Sequence, residues 1–144
     1  MSTWVVAADS SRARILSAEK RAGQLVELEA MVHPEARLHG QELLSDAPGA
    51  AFDSGALGRH AIGGRVDVKQ QEAIRFAKRL CDRIALAHSQ GDFERLYIVA
   101  SPTFLGLLRE GMHPPVQNAI AGEIGKNLAN HSLEEIRRHL PDYL

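Results

Sequence analysis

Three arginines, Arg75, Arg79 and Arg83, recur at four-residue intervals. On a helix that spacing lines them along one face. A row of guanidinium groups suits phosphate oxygens, and so RNA. The same row also reads as a solvated face, because Glu72–Arg75, Lys78–Asp82 and Arg79–Asp82 have helix-pair spacing. From Arg59 to Arg83, seven basic residues stand against three acidic ones, in a chain whose formal net charge is −1. No field of the whole molecule draws it to nucleic acid or membrane, so this segment alone points to an anionic partner. Arg59, His60, Arg65, Arg75 and Arg79 are the candidate binding residues. Gly63 and Gly64 would let the surrounding loop move.

A second candidate is Asp9 with Arg12, at a strand–turn–strand boundary. A carboxylate at a strand end can hold a metal or act as a base. Ribonuclease-H-like nucleases share this order of elements, but their two-metal chemistry needs several convergent carboxylates. Here Glu72 is the acid in the first half of the long helix, and the strand ending at Ala100 runs into Ser101. Asp9 therefore reads as a turn residue that binds backbone amides. The seven histidines form neither an HxH nor an HExxH pattern. Cys81 and His88 are two helical turns apart with no further ligand in view, so no metal site is expected. Cys81 itself falls beside an apolar stripe and reads as a buried, inert thiol. The chain has no GxSxG elbow, and Gly63-Gly64 is not followed by a phosphate-loop ending. No cofactor is implied and no catalytic residue is identified by pattern.

The elements that must carry these residues are well punctuated. Trp4 to Ala8 is an apolar run suited to a buried strand. Asp9-Ser10-Ser11 is turn material, and Ala13 to Ala18 alternates as a second strand. Arg21-Ala22-Gly23-Gln24 is another turn. Leu25 to Val32 sets Leu25, Glu27 and Glu29 against Val26, Leu28 and Ala30, as a half-buried third strand would. Residues 33–66 are rich in glycine and read as a long surface loop, with a short helix near Gln41 to Leu44. Asp67 to Ser89 is the long helix, with Ala73, Phe76, Ala77, Leu80, Ile84 and Ala87 as its buried stripe. Gly91 ends it, and Leu96 to Ala100 is a central strand. Ser101-Pro102 opens a helix, with the serine placed to cap it. Ala119 to Ile124 is a further strand, and Ser132-Leu133-Glu134-Glu135 has capping-box spacing. The order β-β-β-α-β-α-β-α predicts a single-domain α/β sandwich, with a mixed sheet of about five strands and three main helices.

Composition agrees with one globular domain: 144 residues, 44% hydrophobic and 24% charged. A single cysteine excludes an internal disulfide. Aromatic residues are 5% of the chain, which leaves little for base-stacking platforms. No signal peptide precedes Trp4, and no apolar run approaches a membrane span, so a cytoplasmic protein is expected. A monomer or a small homo-oligomer fits equally.

Four segments, taken in order, carry a resemblance over nearly the whole chain. They are ADSSRARIL at 8–16, Arg59-His60 leading into QQEAIRFAKRL at 70–80, VASPTFLGLLR, and AIAGEIGKNL. Together they resemble the bacterial host-attachment protein family, a distant relative of the middle domain of eukaryotic and archaeal release factors. The resemblance implies a ribosome, tRNA or protein partner for a non-catalytic module. Release factors use a Gly-Gly-Gln loop to position water against a peptidyl-tRNA ester. This chain has Gly63-Gly64-Arg65 instead, with Gln70-Gln71 further on. An ester hydrolase acting on tRNA is thus an alternative, with Gln70, Gln71 or His60 orienting water. The family's name implies a surface-attachment role as a second alternative.

Overall fold

The computed structural model describes residues 2–33 and 55–144, with side chains given for 2–33 and 68–144. Five strands form one mixed sheet: β1 (Thr3–Ala8), β2 (Arg12–Ala18), β3 (Val26–Val32), β4 (Arg95–Ala100) and β5 (Ile120–Ile124). Their order is β3-β2-β1-β4-β5. The first three strands form an antiparallel meander, while β1–β4 and β4–β5 are parallel. Parallel neighbours need crossovers, and helices supply them. Helix α1 (Gly55–Ser89) lies between β3 and β4. Helices α2 (Pro102–Gly111) and α3 (Pro114–Gln117) lie between β4 and β5, and α4 (Leu133–Arg138) follows β5. The expected α/β class, five-stranded mixed sheet and element order are present, with α3 as an added short helix.

β1 and β4 sit at the centre, and the uninterrupted apolar runs of their sequences match burial on both faces. One face carries Val6, Ala8, Ile15 and Ile98 against Phe76, Leu80 and Ile84 of α1 and Phe104 and Leu108 of α2. The other carries Val5, Ala7, Leu16 and Val99 against Leu128, Ile136, Leu140 and Leu144. The predicted stripe of α1 is the buried one from Phe76 onward, and Ala73 is half-buried.

Three expectations need correction. Helix α1 begins at Gly55, not near Asp67, so residues 55–66 of the expected loop are helical and Gly63 and Gly64 lie inside a helix. A helix of that length tolerates two glycines at about 1 kcal/mol each relative to alanine. The remainder of that loop, 34–54, with its short helix near Gln41 to Leu44, lies outside the described residues. Ser101 makes no side-chain cap on α2; its carbonyl accepts from Leu105, and Pro102 fills the first turn. Ser132, by contrast, does cap α4, accepting the Glu135 N–H at 3.1 Å.

The third correction concerns β3. It is an edge strand, and its apolar set Val26, Leu28 and Val32 is exposed. Its carboxylates are the anchored groups: Glu27 pairs with Arg14 at 2.6 Å, and Glu29 with Arg83 at 3.1 Å. A bulge between Ile15 and Leu16 sets these two carboxylates onto opposite faces of the sheet.

Candidate functional site

The third arginine of the row is therefore tied to β3. The other two meet a buried histidine–carboxylate pair. His33 closes β3, where its backbone N–H donates to the Ser11 carbonyl at 2.9 Å. This places its ring against the inner side of α1. Glu72 points inward from α1, one helical turn before Phe76. His33 Nε2 lies 2.7 Å from Glu72 Oε2, with side-chain exposures of 5% and 7%. Glu72 Oε1 accepts from Arg75 at 2.9 Å. Arg79 meets His33 Nδ1 at 3.2 Å. Phe76 floors the cluster: the His33 ring stacks on it at 5.4 Å, and the Arg79 guanidinium carbon is 5.8 Å from its centroid.

These side chains open on a groove of about 820 Å³, lined also by Val32, Lys78 and Asp82. Arg75 and Lys78 are exposed, at 67% and 78% of their side chains. Among the described residues, three permanent cations thus face two carboxylates. Asp82 does not pair with Arg79, contrary to the helix-spacing expectation. It meets Lys78 at 3.8 Å and His113 at 3.0 Å. The arrangement suits an anion with several oxygens. The buried His33–Glu72 pair supplies fixed hydrogen-bond geometry rather than an open base.

A second crevice, of about 250 Å³, lies at the carboxyl ends of β1 and β4. Ser10, Lys69, Gln70, Ser101 and Thr103 are among its lining residues. Parallel α/β sheets commonly bind ligands at this end. Asp9, nearby, is not directed into it: Oδ1 accepts the Ser11 and Arg12 N–H groups, each at 2.9 Å. Arg12 donates to the Asn130 side chain. Cys81 is fully buried 3.5 Å from the Leu108 carbonyl, and burial, with Asp82 adding to it, pushes its thiol up to about 11. Among the described residues, no group of three or more His, Cys, Asp or Glu is placed to hold a metal. No helix among them is long and apolar enough to cross a membrane.

The sequence candidates divide accordingly. Arg75 and Arg79 are brought together in the groove. Arg59, His60 and Arg65 lie on the first turns of α1, and their side chains are outside the described set. His33 was not singled out, because it stands 39 residues from Glu72 and outside any motif.

A family model described as "Protein required for attachment to host cells" matches residues 4–140. The chain belongs to that family. The uncharacterized protein RP470 of Rickettsia prowazekii (strain Madrid E) is 26% identical to it over 72 residues. That match covers 50% of this chain and 47% of the relative, so the chain spans about half the length of the curated relative it matches. Family membership accounts for the order of the four sequence segments and assigns no reaction to the groove.

Proposed function

We propose that this member of the host-attachment family is a non-catalytic, cytoplasmic RNA-binding module whose partner is the ribosome or tRNA. One observation carries the reading: Arg75, Lys78 and Arg79 line a single groove, two of them on long, exposed stems. Phosphate contacts of this kind set register on RNA and make affinity fall with salt. The sequence's likeness to the release-factor middle domain favours a ribosomal partner over a protein one. Host attachment then follows indirectly, through translation.

Co-sedimentation with ribosomes across a salt series tests this. The native protein is expected to sediment at low salt and to leave the pellet as salt rises. Arg75→Ala with Lys78→Ala should weaken the association and flatten the salt slope by roughly one unit per lost phosphate contact. Absence from the ribosomal fraction at every salt concentration would end the reading.

Gln70 gives a specific reason to keep a second one. It lines the crevice at the strand ends, beside Ser10 and Ser101, where a water could be held against an ester. Release of a labelled acyl group from acyl-tRNA, lost in Gln70→Ala, is the expected outcome for a hydrolase. No release above the uncatalysed rate would reject it.

A further inference from the structure

We infer that Arg79 is a bidentate phosphate fork, and that His33 is the positioning residue that aims it. This rests on the RNA-binding reading of the groove and names the chemistry of its ligand.

The argument runs through hydrogen-bond direction. A guanidinium donates and has no acceptor. The 3.2 Å contact between Arg79 Nη1 and His33 Nδ1 therefore puts the lone pair of His33 on Nδ1. Its ring proton then sits on Nε2, facing Glu72 Oε2 at 2.7 Å. Arg75 donates to the other oxygen of Glu72. The relay thus has one sense: Arg79 donates to His33, and His33 donates to Glu72. Phe76 supports both planar groups from one side.

Among the described residues nothing bonds the rest of the guanidinium. Arg79 makes no other hydrogen bond among the described residues. Its Nη1 faces His33, which leaves the edge formed by Nε and Nη2. That edge carries two parallel N–H donors, the geometry that matches two oxygens of one phosphate. Two fixed contacts, to His33 and Phe76, remove much of the rotamer freedom that an arginine otherwise loses on binding. Lys78 and Arg75 add charge beside the fork, on flexible exposed stems. Asp82 also faces the groove, but Lys78 and His113 already meet its charge.

The test uses the full chain, inorganic phosphate, and a short single-stranded RNA. Phosphate binding is followed at the Arg79 Nε–H resonance, and RNA affinity by titration. Two substitutions divide the functions of the imidazole. His33→Asn puts an amide oxygen where Nδ1 was, so Arg79 keeps its acceptor. His33→Gln puts an amide nitrogen where Nε2 was, so Glu72 keeps its donor and Arg79 loses its anchor. His33→Asn should bind within about twofold of the native protein, while His33→Gln and Arg79→Lys should each lose about tenfold. Arg79→Lys keeps the charge, so its salt slope should not change. Unfolding midpoints of the two His33 variants show whether a loss reflects the fold. Equal losses in His33→Asn and His33→Gln, or native binding by Arg79→Lys, would overturn the inference. If those variants bind normally while Arg75→Ala with Lys78→Ala fails, the RNA reading survives without the fork. If RNA does not bind but phosphate still shifts the Arg79 signal except in His33→Gln, the fork survives without that reading.

Discussion

Glu72 is a carboxylate that the fold surrounds before it can meet water. Among the described residues its partners come from two elements, His33 just after β3 and Arg75 one turn along its own helix. Removing one partner of a buried hydrogen bond costs about 1–3 kcal/mol. Glu72→Ala removes the acceptor of the buried His33 Nε2–H and should lower the free energy of unfolding by about 1–3 kcal/mol in urea. Arg75→Ala, which takes a cation from a buried carboxylate, should also destabilise. Cys81 illustrates the opposite case, a group kept neutral. Its thiol is raised from 9.0 to about 11 by burial. A raised value means that its contribution is complete below the unfolded value and disappears as pH climbs through the folded one. Stability should thus fall between about pH 9 and pH 11, and Cys81→Ser should flatten that part of the profile. Gly122 is fixed by contact: a Cβ there would sit 3.0 Å from the Tyr97 ring. Gly122→Ala should cost about 1–3 kcal/mol. At this scale the sequence was partly legible. The burial of Cys81 followed from helical spacing, but nothing local links His33 to Glu72, or Gly122 to a tyrosine on the neighbouring strand.

The elements were legible where apolar residues mark them. β1 and β4 announce themselves as uninterrupted apolar runs, and α1 by its stripe at Phe76, Leu80 and Ile84. β3 misleads for a physical reason: at an edge, charge pairs rather than apolar burial fix the strand, so Glu27 and Glu29 are anchored and Val26 and Leu28 face outward. The start of α1 was hidden by glycine, whose low helix propensity masks a helix in the sequence. Its end was visible in Gly91, which has φ of +78° and closes a pair of bonds, its own N–H to His88 and that of Asp92 to Ala87. Gly63→Ala combined with Gly64→Ala should raise helical content and stability by about 1 kcal/mol each. Circular dichroism and thermal melting would show it. A fall in both would mean that these glycines serve as a hinge and not as helix.

On the scale of the whole molecule, the two faces of the sheet are closed by different means. Long helices α1 and α2 cover one; the other is covered by Leu128, Ile136, Leu140 and Leu144, from short helix and irregular chain. Arg137 fastens that cover, donating to the carbonyls of Gly23, Pro141 and Asp142. Arg137→Ala should open this layer before the rest unfolds, seen as faster amide exchange at Leu16 and Val99 than at Val6 and Ile15. The family was legible because its segments run along the entire chain. The partner was not, because charged side chains along a groove do not by themselves identify the molecule that meets them.

The parallel pairing of β1 with β4 sets Thr3 opposite Arg95, and that pairing has a consequence in time. Chains are made at about 5–20 residues per second, so β1 waits roughly five to eighteen seconds for its neighbour. Meanwhile the meander of β1, β2 and β3 has only α1 for cover, and Val5 on the other face waits for Leu128, Ile136, Leu140 and Leu144. A nascent chain halted before Arg95 should be captured by chaperones or aggregate, and one halted beyond Leu144 should not.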